Sequence, residues 1–212
     1  MIQTRKKVKT WLLSTCLILI SSFLVTQLSA APVKNLPSID PFKPLLYDLL
    51  RRFPDEPKTK LIVVSASEQK LFLIENLKVT QSYTISTAKA GLGNNDGSNK
   101  TPLGVHRIDE KIGDKALEGT IFRSRKNTKR IAKILKKPGK KSKADIITSR
   151  ILWLSGMEPG INKGGTVDSK SRFIYIHGTD EEGRLGKPVS HGCIRMSNQD
   201  VIELFDKIPV GT

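Results

Sequence analysis

The sequence predicts a mainly β domain with few helices, arranged as a β-sandwich or an open barrel. Three observations lead to this prediction. Short apolar runs recur between residues 61 and 176, polar or glycine-rich turns separate them, and only one segment near the C-terminus has a clear helix cap. With 38% hydrophobic residues among 212, the chain is also long enough for one domain with a real core.

The strand-like runs follow one another along the chain. They are residues 61–64, 70–75, 78–85, 105–108, 151–154 and 172–176. Short polar turns join the first three, which is typical of a β-meander. Ser197 and Asn198 then cap a last predicted helix at 199–207, which ends before Pro209.

The N-terminus has the pattern of a secretory signal. A basic head with four positive charges precedes 18 uncharged residues at 11–28, and small residues follow at 29–31. We therefore expect residues 1–31 to be a signal peptide, or an N-terminal anchor because 18 such residues just reach spanning length. Either reading predicts an exported protein of the periplasm or cell envelope. Residues 32–59 contain six prolines and are predicted to be a spacer, with one amphipathic turn around Leu45 to Phe53, before a domain at 60–212.

The net charge is +16, of which the predicted signal holds four charges, leaving +12. An exported protein does not normally meet nucleic acid, so an anionic wall or membrane surface is the expected partner. Much of the excess lies in residues 123–143, the basic arm, with eleven basic residues and no acid. Ile131, Ile134 and Leu135 have the spacing of a short helical stripe there. The arm is either a solvated loop or a contact surface.

Cys193 lies in the stretch SHGCIRM and has no partner outside the predicted signal. An unpaired cysteine in an exported protein indicates a reactive thiol, an intermolecular disulfide or a buried inert side chain. Because glycine, histidine and arginine surround it, a reactive thiol is favoured. A histidine could take its proton, and both His177, which ends a predicted strand, and His191 are candidates.

The neighbours of Cys193 suggest further roles. Amides around Gly192 could form an oxyanion hole, and the Arg195 fork could clamp a substrate carboxylate. A zinc set of His177, His191, Cys193 and Asp180 is the alternative, but no paired metal-binding anchor accompanies it. We therefore predict no metal.

The stretch IHGTDEEGRLGKPVSHGCIRMSNQDVIELF resembles the signature of the L,D-transpeptidase catalytic domain, also called the YkuD-type domain. SASEQKLFLIEN, TPLGVHRI and SRILWL resemble the same family in the same order. The resemblance covers about residues 60–212. It implies a β-rich sandwich in which Cys193 is the nucleophile and His177 the proton donor and acceptor. It also implies that the Gly178 carbonyl orients His177 and that Ser190, His191, Gly192 and Arg195 belong to the substrate or oxyanion wall.

The implied substrates are peptidoglycan stem peptides, with no cofactor. Cys193 would form a thioester after release of D-alanine, and an amine from another stem or an envelope protein would resolve it. Hydrolysis and a non-catalytic wall-binding role remain alternatives. The sequence departs from the family twice: it stops at PVGT, where members continue into another strand, and the basic arm at 123–143 has no clear counterpart.

Overall fold

A computed structural model describes residues 38–56 and 59–212, and residues 35–212 form one compact unit. The predicted signal or anchor at 1–31 lies outside the described residues. Nine strands and two α-helices make up the described part: β1 Lys60–Ser65, β2 Lys70–Glu75, β3 Lys78–Ser86, β4 His106–Ile112, β5 Thr120–Arg123, β6 Lys126–Ile131, β7 Ile147–Gly156, β8 Tyr175–Thr179, β9 Ile194–Met196, α1 Lys43–Arg52 and α2 Asn198–Lys207. Neither helix of these two ranges has the length and apolar character needed to cross a membrane.

The strands form a single sheet in the order β1-β2-β3-β9-β8-β7-β5-β6, and β4 also pairs with β7. All neighbours run antiparallel except β8 and β9, which are parallel. This confirms the mainly β class with few helices. The predicted meander is present as β1, β2 and β3.

One buried cluster gathers side chains from β2, β3, β9, β8, β7 and β4, so these strands share a common core. The helix α2 covers that core. Its hydrogen-bonded N-cap is Ser197, whose hydroxyl accepts from the amide of Asp200. The core side chains are Leu71, Leu73, Tyr83, Ile85, Ile108, Leu152, Leu154, Ile174, Ile176, Ile194, Met196, Val201, Leu204, Phe205 and Ile208.

The segment 32–59 is not a simple spacer, because it contains α1. Strand β2 carries apolar side chains on both faces, and those pointing away from the main core need another cover. Phe72 and Ile74 form this second face, and Leu46 of α1 is buried against them. The Phe42 ring packs against that of Phe72 with centroids 4.9 Å apart and an angle of 48° between the ring planes. The helix therefore packs on the domain.

The basic arm forms a hairpin and an irregular segment, so the predicted helical stripe is wrong. Strand β5 pairs with β7 and β6 pairs with β5, which occupies the backbone groups up to Ile131. The arm then runs along the crossover between β8 and β9. There the amide of Leu135 donates to the carbonyl of Asp180 at 2.7 Å, and that of Gly183 donates to the carbonyl of Leu135 at 2.8 Å. Sheet pairing and these crossover bonds replace the helix.

Candidate active site

Strands β8 and β9 bring His177 and Cys193 to the same face of the sheet. His177 lies opposite Arg195 in the parallel ladder, and Ile176 lies opposite Ile194. The two isoleucines enter the main core. Because side chains alternate along a strand, the residues before and after each isoleucine point to the other face. Cys193 packs on that face in the cluster that contains Tyr175. The sheet register thus assembles two residues that are 16 positions apart in sequence.

His177 is buried, and the Gly178 carbonyl orients its ring. The distance from Nδ1 to that oxygen is 2.7 Å. Since a carbonyl oxygen can only accept, Nδ1 carries the proton and Nε2 keeps its lone pair. Burial lowers the pKa of His177 below 6.5, against the opposing effects of Asp145 and the Gly178 carbonyl. The imidazole is therefore neutral near pH 7 and able to accept a proton.

Gly178 has to be a glycine because two elements approach its Cα closely. A Cβ at this position would lie 2.7 Å from the carbonyl oxygen of Thr148 and 2.9 Å from Oδ1 of Asn198. Asn198 at the start of α2 also receives hydrogen bonds from the hydroxyls of Thr148 and Ser149, both at 2.6 Å. Strand β7 and helix α2 thus hold the backbone that orients His177.

The thiol of Cys193 is half-buried and protonated at rest. Its Sγ lies 3.4 Å from the carbonyl oxygen of Phe173, to which it donates, and 3.4 Å from the amide of Tyr175, from which it accepts. Loss of contact with water raises its pKa to about 12, against the effect of the Tyr175 amide, and Asp145 raises it further. The thiol therefore needs a base to become a nucleophile.

The loop before β9 is braced by its own hydroxyls. Ser190 is buried, and its Oγ donates to the carbonyl of Cys193 at 2.6 Å and accepts from the amide of Gly192 at 3.3 Å. Thr101 donates to the Gly192 carbonyl at 2.9 Å. Gly192 has φ of 132°, which disfavours a side chain. Its amide already has an internal acceptor, so the predicted oxyanion role of this residue stays a prediction.

Arg195 has a different environment from the predicted one. Its side chain is only 2% exposed, and it forms ion pairs with Glu181, at 2.9 Å, and with Asp145. This corrects the prediction that Arg195 clamps a substrate carboxylate, because both carboxylates that it holds belong to the chain. Sequence reasoning missed Asp145 and Glu181, since neither has a spacing that marks it. The acid at 145, just after eleven basic residues, was the one available signal.

His191 lies at the mouth of a cleft, away from the buried pair. Its side chain is 70% exposed, and Nδ1 is 2.9 Å from Oδ2 of Asp145. The cleft has a volume of about 590 Å³ and reaches the end of the basic arm. Basic and polar side chains line its walls, among them Lys89, Asn99, Lys141, Lys143, Arg184 and His191.

The remaining chemistry-bearing residues lie elsewhere or are held by structure. His106 contacts the Gly104 carbonyl and the Ser169 hydroxyl, at 3.0 and 2.8 Å. Asp180, a member of the alternative zinc set, is buried, and burial raises its pKa. Within residues 38–56 and 59–212, no group of three or more His, Cys, Asp or Glu side chains is arranged to hold a metal ion.

Comparisons with known proteins identify the family of this chain. The model of the L,D-transpeptidase catalytic domain matches residues 59–212. YkuD of Bacillus subtilis (strain 168), whose name gives L,D-transpeptidase as a proposed activity, is 60% identical over 55 residues, which are 26% of this chain and 34% of YkuD. YbiS of Escherichia coli (strain K12), named a probable L,D-transpeptidase, is 51% identical over 41 residues, which are 19% of this chain and 13% of YbiS. The matched segments thus span 34% and 13% of these relatives.

Among solved structures, Mycobacterium tuberculosis L,D-transpeptidase 1 is 21% identical, with a TM-score of 0.39 over 72% of this chain and 58% of that one. An L,D-transpeptidase of Enterococcus faecium is 16% identical, with a TM-score of 0.43 over 73% and 48%. Assignment to a family therefore rests on the sequence match, which covers more than half of the chain and includes both His177 and Cys193. The chain belongs to the YkuD family of L,D-transpeptidase catalytic domains.

Proposed function

We propose that this chain is a peptidoglycan L,D-transpeptidase that uses Cys193 as nucleophile and His177 as base. The observation that carries the proposal is the hydrogen bond from Nδ1–H of His177 to the Gly178 carbonyl, 2.7 Å long. It leaves the lone pair of Nε2 on the sheet face that holds the Cys193 thiol. A base, a thiol and a third group that orients the base are the parts of a cysteine acyltransferase.

The first half of the reaction acylates the enzyme. As a stem tetrapeptide binds, Nε2 of His177 takes the thiol proton and Sγ attacks the carbonyl carbon before the terminal D-alanine. The bond between this carbon and the D-alanine nitrogen breaks, and the imidazolium gives its proton to that nitrogen. D-alanine leaves, and a thioester joins the stem to Cys193. Since the pKa of the resting thiol is about 12, proton transfer has to accompany the attack.

The second half transfers the acyl group to an amine. The amine of a neighbouring stem attacks the thioester carbon, His177 takes the amine proton, and the proton returns to the sulfur as the thioester breaks. An amine of an envelope protein is an equivalent acceptor. With water as acceptor, the same residues would hydrolyse the stem, which is the L,D-carboxypeptidase alternative. A purely wall-binding protein is disfavoured because both His177 and Cys193 are present.

The proposed place of action is the periplasm or cell envelope, as the sequence pattern of residues 1–31 suggests. The proposed contact with anionic wall material involves the basic arm at 123–143. Its residues Lys141 and Lys143 line the cleft beside His191, and neither forms an ion pair in the described part of the chain. Charges attract over about 8 Å at physiological salt, so lysines in the cleft wall are close enough to act on bound wall polymer.

Incubation with a disaccharide tetrapeptide, followed by mass spectrometry, tests the proposal. Transpeptidation gives a cross-linked dimer and free D-alanine, whereas hydrolysis gives a disaccharide tripeptide. Exchange with an added D-amino acid gives a product of altered mass. The matched control is Cys193→Ser, which keeps the size of the side chain but replaces the thiol. Absence of all three products with the parent protein would contradict the proposed function.

A further inference from the structure

The hairpin of β5 and β6 carries an arginine in an unusual backbone conformation. Ser124 and Arg125 form its two-residue turn and have φ of 45° and 66°. Tight hairpin turns of this kind favour asparagine and glycine, which tolerate positive φ at low cost. Because the turn requires positive φ at both positions, it fixes the backbone from which the Arg125 side chain extends.

The Arg125 side chain lies over the rings of Trp153 and Phe173 and reaches the hydroxyl of Tyr175. We call these three aromatic residues the aromatic platform. The guanidinium carbon lies 4.5 Å from the Trp153 ring centroid and 4.9 Å from that of Phe173. Its Nη1 donates to the Tyr175 hydroxyl at 3.1 Å. Cation–π contacts use the flat face of the guanidinium, so its N–H groups remain available along the edge.

The aromatic platform also forms the surroundings of the nucleophile. The Cys193 thiol contacts the carbonyl of Phe173 and the amide of Tyr175, both at 3.4 Å. Phe173 is half-exposed, so this wall of the site is open to solvent. A substrate whose carbonyl carbon reaches Sγ therefore brings its adjacent groups to the rings that hold Arg125.

Arg125 has no carboxylate to pair with in residues 38–56 and 59–212. The ion pairs there involve other arginines, among them Arg184 and Arg195, which hold Glu181. A guanidinium has five N–H donors, and that of Arg125 forms one hydrogen bond within the described part of the chain. A half-buried cation with unused donors beside a nucleophile is suited to bind an anion of the substrate.

We propose that Arg125 is a specificity-determining residue that binds the terminal carboxylate of the donor peptide. This inference rests on the proposed function. The terminal carboxylate is the anion nearest to the reacting bond, because only the α-carbon of the last residue separates it from the scissile amide. Binding it would place the scissile carbonyl at Sγ and would select peptides that end at that residue.

The experiment compares two disaccharide tetrapeptide donors, one with a free C-terminal carboxylate and one with a C-terminal amide. Acylation of Cys193 is followed by mass spectrometry in the full chain and in Arg125→Gln. The parent should prefer the free acid, and Arg125→Gln should lower the preference about 10- to 100-fold, as expected for a hydrogen bond to a charged group. Arg125→Lys keeps the charge but not the forked guanidinium, so its preference for the free acid should lie between those of the parent and of Arg125→Gln.

Arg123→Gln is the matched control. Arg123 lies two residues before Arg125, carries the same charge, is exposed and has no aromatic contact in the described part of the chain. The variant should keep the preference of the parent. Alkylation of Cys193 by iodoacetamide, a neutral reagent, should proceed at similar rates in all variants if the site is intact.

An unchanged ratio of free acid to amide in Arg125→Gln would overturn the inference. Equal loss with both donors would also overturn it, because it would indicate a packing role. If the parent reacts with neither donor while iodoacetamide still alkylates Cys193, the proposed function itself fails, and the inference fails with it.

Discussion

Replacement of Arg195 by leucine should destabilise the fold strongly. The guanidinium is 2% exposed and holds Glu181, whose side chain is also 2% exposed, together with Asp145. Removing one partner of a buried ion pair costs about 3–5 kcal/mol, and here it leaves the Glu181 carboxylate with Arg184 alone. Since domains are typically stable by about 5–15 kcal/mol, this is a large share of the free energy of unfolding. For a chain of this length it corresponds to a fall in Tm of about 6–20 °C.

The pH dependence gives this prediction a second test. Burial acts to raise the pKa of Glu181, but the Ser142 amide, Arg184 and Arg195 outweigh it and lower the pKa. When the pKa of a carboxyl group is lower in the folded than in the unfolded state, the group stabilises the fold at pH values above its unfolded-state pKa. This contribution is lost as the pH falls through the folded-state pKa. In Arg195→Leu part of this contribution is already missing. The stability difference between parent and variant should therefore be largest above about pH 5 and shrink on acidification.

Urea unfolding of the two proteins between pH 3 and pH 8 measures both effects. Arg51→Leu is the control, because Arg51 forms an exposed pair with Asp48, and such pairs contribute at most about 1 kcal/mol. In a Glu181→Gln background the cost of Arg195→Leu should be smaller, since the buried one of its two carboxylate partners is gone. A loss below about 1 kcal/mol at pH 7, with acylation abolished, would refute the structural role and restore the substrate clamp.

Three further predictions concern the reaction and the arm. Cys193→Ala should abolish turnover without loss of the fold. In the parent, a carbapenem should add mass to the peptide that contains Cys193, and an adduct on another peptide would contradict the assignment of Cys193 as the nucleophile. His177→Ala should slow acylation about 10²- to 10⁴-fold and His191→Ala less. Because burial lowers the pKa of His177, acylation by the parent should decline only below pH 6.5, and an inflection above this value would argue against His177 as the base. In the arm, four lysines are replaced with glutamine: Lys136, Lys137, Lys140 and Lys141. This variant should sediment less with wall sacculi at low salt, and its binding should depend less on salt, while a small soluble donor reacts as before. Equal binding by variant and parent at every salt concentration would indicate that the arm is a solvated loop.

Local pattern predicted much of the fold but not all of its strands. The run KLFLIE matches β2 at both ends, since its apolar residues sit between polar turns. Strand β6, with the sequence KNTKRI, has almost no apolar pattern and forms because β5 supplies its hydrogen-bond partners. Strand β9 has only three residues, too few for a periodic signal. Such strands depend on neighbours that a local reading does not include.

The sequence indicated one amphipathic turn around Leu45 to Phe53, which overlaps α1, but for a related reason it did not indicate that this segment packs on the domain. Its prolines suggested a spacer, and its short apolar side could have faced solvent. The outer face of β2, with Phe72 and Ile74, provides the surface that buries Leu46. Burial of apolar area thus turned a marginal amphipathic segment into a packed helix.

The sequence by itself determined the family and the candidates for nucleophile and base, because the catalytic signature is nearly contiguous and its chemistry depends on residue type. Only the tertiary structure decided how those residues are used. The register of β8 and β9 places His177 and Cys193 on one face, and two carboxylates from other segments turn Arg195 inward. The hairpin turn places Arg125 over the rings of Trp153 and Phe173 and beside the Tyr175 hydroxyl. Ion pairs and cation–π contacts act over a few ångströms in space, and distance along the chain does not predict which residues come that close.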